Sequence, residues 1–214
     1  MIILDFGSGE TCKNDLQYVE KMIDSLVAVD TGKHEVVIKW QLFSGAWYEK
    51  ERRELIRLTP RTFQHAYYYA ERYGYKTTAS VFDRETLSYL LGFDVPFIKV
   101  ANKLSLHYLV PTILKNGRDV VISVSSKNMY SLVRAEYGDI KVMCCVSEYP
   151  AAGVDYQDKF GDLLHEGFPD HTVDFDLYER YWPDLYECHY KLEDSTGPDA
   201  GLYARTPEQL KAIL

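Results

Sequence analysis

Two histidines, His171 and His189, stand in residues 167–199, each at the end of a short strand-like run and accompanied by Asp170, Glu187 and Asp199. Imidazoles and carboxylates are the usual side-chain ligands of a divalent cation. Taken singly, each histidine reads as a hydrogen-bonded polar residue near a core, because histidine is intermediate in burial. The pair with its acids reads as a functional site. Phe175, Leu177, Tyr178, Tyr181 and Trp182 predict a helix between them, closed by Pro183. In a barrel of alternating strands and helices, two consecutive strands would bring one imidazole each to the same rim.

Further polar residues fall where strand-like runs end: Asp5, Lys39 with Gln41, Ser80, Lys99 with Asn102, Ser123, and Ser147 with Tyr149. The two-residue period of a strand puts Lys39 and Gln41 on one face, and likewise Glu187 and His189. Lys39 follows Val36, Val37 and Ile38, and Lys99 follows Pro96, Phe97 and Ile98, so both are poorly placed for a solvated surface. One such lysine could snorkel from a strand end. Two lysines and several hydroxyls on one rim predict a cradle for phosphate or carboxylate. The expected site is basic and hydroxylic on one side, with histidines and acids on the other. That suits a phosphorylated, carboxylated small molecule beside an electrophile polarised by a divalent cation.

The elements that must position these residues alternate along the chain. Strands are predicted at 2–6, 35–39, 76–81, 97–100, 120–124 and 140–146, and the last two carry the histidines. Helices are predicted between them: Leu16, Val19, Ile23, Leu26 and Val27 keep helical spacing, and Thr59-Pro60 and Asp83 open two more. Leu106, Leu109, Val110, Ile113 and Leu114 line another, Leu132 and Val133 mark the next, and Phe160, Leu163 and Leu164 the one after. A short last helix starts at Thr206-Pro207. Eight strands separated by helices predict a compact (β/α)8 TIM barrel spanning residues 1–214 as one domain. An open doubly wound sheet is the alternative, without the Gly-rich first turn of a dinucleotide fold.

Composition restricts the partners. A net charge of −8 argues against nonspecific nucleic-acid binding, which needs a basic surface, but permits a local basic pocket. The N-terminal residues lack the basic and apolar regions of a signal peptide, and no run is long enough to cross a membrane, so neither is expected. Cys12, Cys144, Cys145 and Cys188 show no CxxC spacing, which predicts packing roles for thiols in a reducing cytoplasm. Four tyrosines, Tyr67, Tyr68, Tyr69 and Tyr73, cluster in one helix and are expected to divide between core and surface.

Seven stretches, VVIKWQLF, SVFDRETLSYL, VPFIKV, CCVSEYPA, GFPDHT, ECHYKL and GPDAGLYARTPEQL, resemble the sialic acid synthases in order and spacing. GFPDHT and the run from ECHYKL to GPD carry the most specific part of the likeness. The resemblance implies condensation of phosphoenolpyruvate with N-acetylmannosamine or a related aldose, releasing phosphate. It implies His171 and His189 as ligands of Mn2+ or Mg2+, and Lys39, Ser80, Lys99 and Ser123 as donor-binding residues. Asn102 and Ser147 occupy two further donor positions with changed side chains. Asp199 and Tyr149 occupy sugar-site positions, and Asp5 stands where the family has a glutamate that manages the attacking water. Departures are Pro169 in place of a serine, Leu104 in place of an acid, SGETCKND after the first strand, and a short charged segment at 44–57. The sequence given ends after the barrel, without the family's antifreeze-like domain. A homodimer or a separate partner would then complete the sugar site. The alternatives are another enzyme on the same barrel with a different phosphorylated donor or acceptor, or an inactive descendant that keeps the anion and metal pocket.

Overall fold

A computed structural model describes residues 1–46, 57–174 and 176–214. Eight strands lie parallel in it: β1 (Ile2–Asp5), β2 (Val36–Leu42), β3 (Lys76–Val81), β4 (Ile98–Val100), β5 (Val120–Val124), β6 (Lys141–Cys144), β7 (Gly167–Asp170) and β8 (Leu185–His189). Each pairs with its sequence neighbour, and β1 pairs with β8, so the ladder runs β6-β5-β4-β3-β2-β1-β8-β7. Among the described residues, β6 and β7 are the one neighbouring pair not joined by a ladder. The result is a nearly closed (β/α)8 barrel, as the strand-helix alternation predicts.

Strand periodicity explains how this barrel carries a site. Side chains two residues apart share a face. Pointing inward at one level are Ile3, Val37, Phe97, Val121, Met143 and Leu185, which form a small apolar plug of their own. Two residues further along the same strands, and hence on the same face, stand Asp5, Lys39, Lys99, Ser123, Cys145 and Glu187. The intervening residues Leu4, Ile38, Ile98, Ile122, Cys144 and Tyr186 face outward into the main core beneath the helices. Apolar below and polar above, the barrel interior is the site's floor and its lining. Adjacent Cys144 and Cys145 face opposite ways: Cys144 packs in the core, as expected, whereas Cys145 lines the cavity.

The helices described from end to end are α1 (Leu16–Val27), α2 (Pro60–Glu71), α3 (Arg84–Leu90), α4 (Val110–Lys115), α5 (Lys127–Tyr137), α6 (Gly153–Phe160), α7 (Asp176–Tyr181) and α8 (Pro207–Leu210). Local chemistry starts them where expected. Asp83 caps α3, and Thr206 with Gln209 makes a full capping box on α8. The Thr59 hydroxyl accepts from the Thr62 amide at 3.1 Å, and Pro60 fills the first turn of α2. Thr59→Ala is therefore expected to cost about 1 kcal/mol in a urea titration without changing the site.

Several expectations are corrected. The helix predicted from Leu106 begins as a 3-10 turn (Leu104–Leu109) and becomes α-helical only at Val110, where Pro111 can sit in a first turn without losing a bond. Leu114 and Leu132 are exposed, and Leu163 lies in a 3-10 turn after α6. Trp182 lies beyond α7 with φ of 44° and its ring exposed, while Leu177, Tyr178 and Tyr181 are buried. Phe175 and residues 47–56 of the short charged segment lie outside the described residues. In α2, Tyr67 and Tyr69 pack partly against the core, while Tyr68 and the following Tyr73 are exposed. No helix among the described residues is long and apolar enough to cross a membrane.

Candidate active site

A cavity of about 650 Å³ opens at the C-terminal ends of the strands, the end at which barrels of this kind place their chemistry. Asp5, Lys39, Gln41, Ser80, Lys99, Asn102, Ser123, Ser147, Tyr149, His171, Glu187, His189 and Asp199 all line it. Ladder register levels them: Asp5 stands opposite Lys39 on one side and His189 on the other, Gln41 opposite Ser80, and Ser80 opposite Lys99.

The charges are interleaved rather than segregated, which corrects the expected division into a basic and an acidic side. Lys39 Nζ lies 2.6 Å from Asp5 Oδ2 and 3.6 Å from Glu187 Oε1, and donates to Ser80 Oγ at 3.2 Å. Lys99 Nζ donates to Glu187 Oε2 at 2.7 Å. Both lysines are buried, at 1% and 2% exposure, so the snorkelling alternative fails; in a dry interior each keeps a counter-ion. For Asp5, Glu187 and Lys39, burial favours the neutral form but pairing outweighs it. Burial raises the Asp5 carboxyl, yet the Lys39 charge, His189 and the Gly7 amide together hold it below the usual carboxylate range. Glu187 is likewise lowered, against burial, by Lys99 and then Lys39. Lys39 is raised because Asp5 and Glu187 overcome the cost of its burial.

On the other side of Asp5, Gln41 Nε2 donates to Asp5 Oδ2 at 3.1 Å and to Asp199 Oδ1 at 3.0 Å, bridging the two acids. Asp199 also accepts from the Ser8 amide at 3.2 Å, and burial raises its carboxyl. Gly7, with φ of 74°, donates its amide to Asp5 Oδ1 at 2.9 Å. A Cβ on Gly7 would come within 2.7 Å of the Asp199 Cβ, so only glycine lets the two acid-bearing segments meet there.

The histidine rings face each other with centroids 5.7 Å apart. His171 Nδ1 donates to the Val146 carbonyl at 2.6 Å, which leaves Nε2 with the lone pair. Burial, reinforced by His189, pushes His171 down to about 3, so its ring is neutral at physiological pH. His189 Nδ1 is buried without a hydrogen-bond partner among the described residues, with Asp199 Oδ1 at 3.7 Å and Asp5 Oδ2 at 3.8 Å. Ser123 Oγ is also buried without one. Asn102 and Ser147 bond each other, Nδ2 to Oγ, at 2.8 Å.

Sequence reasoning missed Tyr203, Phe43, Phe82 and Cys145 in the lining. Tyr203 packs 5.1 Å from His189 and 5.0 Å from Tyr149, whose own ring lies 4.2 Å from His171, so aromatic faces wall the histidine side. Nothing in the spacing of Tyr203 marks it, because it comes from a loop with no periodicity. It also missed Arg205, fully buried, which donates to the carbonyls of Val173 and Asp174 after β7 while its backbone amide donates to the His189 carbonyl at 2.7 Å. Arg205 thus ties the two histidine-bearing strands together.

The sequence pattern of the NeuB family matches residues 23–178. The chain belongs to the NeuB family. Membership supports, at the level of the family, a phosphoenolpyruvate-dependent condensing enzyme, and the TIM barrel is the fold of its structural relatives. The N-acetylneuraminic acid (sialic acid) synthetase of Leptospira borgpetersenii superposes with a TM-score of 0.76 at 18% identity, over 99% of this chain and 80% of that one. The spore coat polysaccharide biosynthesis protein SpsE of Bacillus subtilis gives 0.76 at 16% identity, over 99% and 65%. A truncated 3-deoxy-D-arabino-heptulosonate 7-phosphate synthase of Thermotoga maritima gives 0.66 at 10% identity, over 99% and 83%. At these identities the likeness is one of fold. No curated protein sequence matches the chain.

Proposed function

We propose that this NeuB-family barrel condenses phosphoenolpyruvate with an amino-sugar aldehyde, N-acetylmannosamine or a related aldose, giving a sialic-acid-like 2-keto acid and phosphate. The observation that carries the reading is one cavity lined by two buried lysines, two imidazoles with centroids 5.7 Å apart and a bridged pair of aspartates. Lys39 and Lys99, with the Ser80 and Ser123 hydroxyls, take the donor's phosphate and carboxylate. Ser123 Oγ, unpartnered in the free site, gains a partner from that anion. Asn102 and Ser147, already bonded to each other, flank the donor.

A divalent ion, Mn2+ or Mg2+, fits the other wall. His171 presents Nε2 because its Nδ1 is committed to Val146, and the second imidazole faces it. No group of three His, Cys, Asp or Glu side chains that could hold an ion occurs among the described residues. The chain would therefore supply two imidazoles, His171 and His189, and leave the remaining positions to water and substrate. Bound there, the ion supplies Lewis acidity at the sugar carbonyl. The chain's own residues do the rest. Asp199 and Gln41 accept and donate to the sugar hydroxyls, while Tyr149 and Tyr203 cover the ring or open chain. Asp5, held ionised beside Lys39, takes the proton of the water that adds at the enol carbon. Lys39 and Lys99 stabilise the phosphate as it leaves. Four buried free thiols suit a reducing cytoplasm.

Incubation with Mn2+, phosphoenolpyruvate and a panel of aldoses is expected to release phosphate only when all three are present. Release with phosphorylated aldoses alone would assign a different acceptor. Phosphoenolpyruvate binding without release, for every aldose, would leave a binding module.

A further inference from the structure

Hydrogen bonding around the barrel is continuous except between β6 and β7, and β7 leads directly into His171. Successive residues of a strand point their backbone groups to alternate sides, so Pro169 and His171 face the same side, the seam. Proline has a carbonyl there but no N–H, and its place beside an unpaired edge removes no ladder bond to β8. A backbone carbonyl and amide at a dry edge still need partners.

The Tyr156 side chain supplies both. This residue of α6 is completely buried, and its hydroxyl donates to the Pro169 carbonyl at 2.6 Å while accepting from the His171 amide at 3.1 Å. In a parallel ladder, the residue opposite Asp170 would give its N–H to the carbonyl of residue 169 and take the N–H of residue 171. One phenol does the work of that missing residue. A phenol hydroxyl carries one proton and two lone pairs, so it can act as donor and acceptor together. The Ala151 amide donates to the His171 carbonyl at 2.8 Å, and His171 Nδ1 donates to the Val146 carbonyl. Backbone amide, backbone carbonyl and ring nitrogen of His171 are thus all held by the segment from Val146 to Tyr156, and none by a sheet ladder.

We propose that Tyr156 is a positioning residue: its hydroxyl replaces the absent β6–β7 ladder and sets the end of β7 so that the His171 ring faces His189. The inference rests on the reading that His171 works in the cavity. Tyr156→Phe keeps the ring packed 5.7 Å from Phe168 and deletes only the hydroxyl. Phe160→Leu, in the same helix and equally buried, is the control for general loosening of α6.

Two measurements on the whole 214-residue chain test this. Manganese affinity by electron paramagnetic resonance, without substrates, is expected to fall about 10- to 100-fold in Tyr156→Phe, as for loss of a residue that orients a metal-binding histidine. Nuclear magnetic resonance is expected to show faster exchange of the His171 amide and a shifted ring 15N resonance. Phe160→Leu is expected to lower the melting temperature while leaving both readouts at the parent's values. Unchanged His171 signals in Tyr156→Phe, or equal changes in Phe160→Leu, would overturn the proposal. If the parent binds no manganese but the His171 signals move in Tyr156→Phe alone, the positioning role stands and the metal reading of the cavity fails.

Discussion

Lys99→Ala is expected to lower phosphate release by about 10²- to 10³-fold, the usual cost of deleting one preorganised donor to developing charge. The geometry makes the loss twofold. The variant removes a cation from the donor pocket and also strips Glu187 of its 2.7 Å partner, leaving it only Lys39 at 3.6 Å. A carboxylate left with one more distant cation, itself shared with Asp5, would then face the incoming anion. Breaking such a buried pair costs about 3–5 kcal/mol of stability, so folding and binding must be separated. The double variant Lys99→Met with Glu187→Gln removes both charges and is expected to recover most of that stability in a urea titration. It is not expected to recover binding of phosphoenolpyruvate by calorimetry. Parent-like binding in Lys99→Ala would remove this lysine from the donor site.

Replacing either imidazole should act on the other half of the site. His171→Ala and His189→Ala are each expected to reduce phosphate release by about 10³-fold, corresponding to about 4 kcal/mol of lost charge stabilisation at the acceptor carbonyl. Manganese binding should fall with it. Phosphoenolpyruvate binding should fall less, because the lysines, Ser80 and Ser123 lie on the opposite strands and keep their own contacts. The two variants should differ in stability. His171 bridges the barrel seam through Val146, whereas His189 Nδ1 has no hydrogen bond to lose among the described residues. His171→Ala is therefore expected to lower the melting temperature more than His189→Ala does. Manganese affinity unaltered in both variants would mean that the facing rings are not an ion site.

Much of this molecule was written in one dimension. Strand-helix alternation, the caps at Thr59, Asp83 and Thr206, and the two-residue period are local properties, and they determined the barrel and the inward direction of Lys39, Lys99 and Glu187. Polar residues two positions beyond inward apolar ones told which end would hold the site. The chain alone could not say who pairs with whom. Lys39 meets Asp5 and Glu187, and Gln41 bridges Asp5 to Asp199, because ladder register sets their heights and burial forces each charge to find a partner. Neither Arg205 nor Tyr156 was singled out from the sequence: Arg205 sits in an aperiodic loop, within a stretch quoted only for its resemblance, and Tyr156 lies one turn before the Phe160 that marked its helix. Only closure of the barrel, incomplete between β6 and β7, brought their polar ends to the backbone on which the histidines stand.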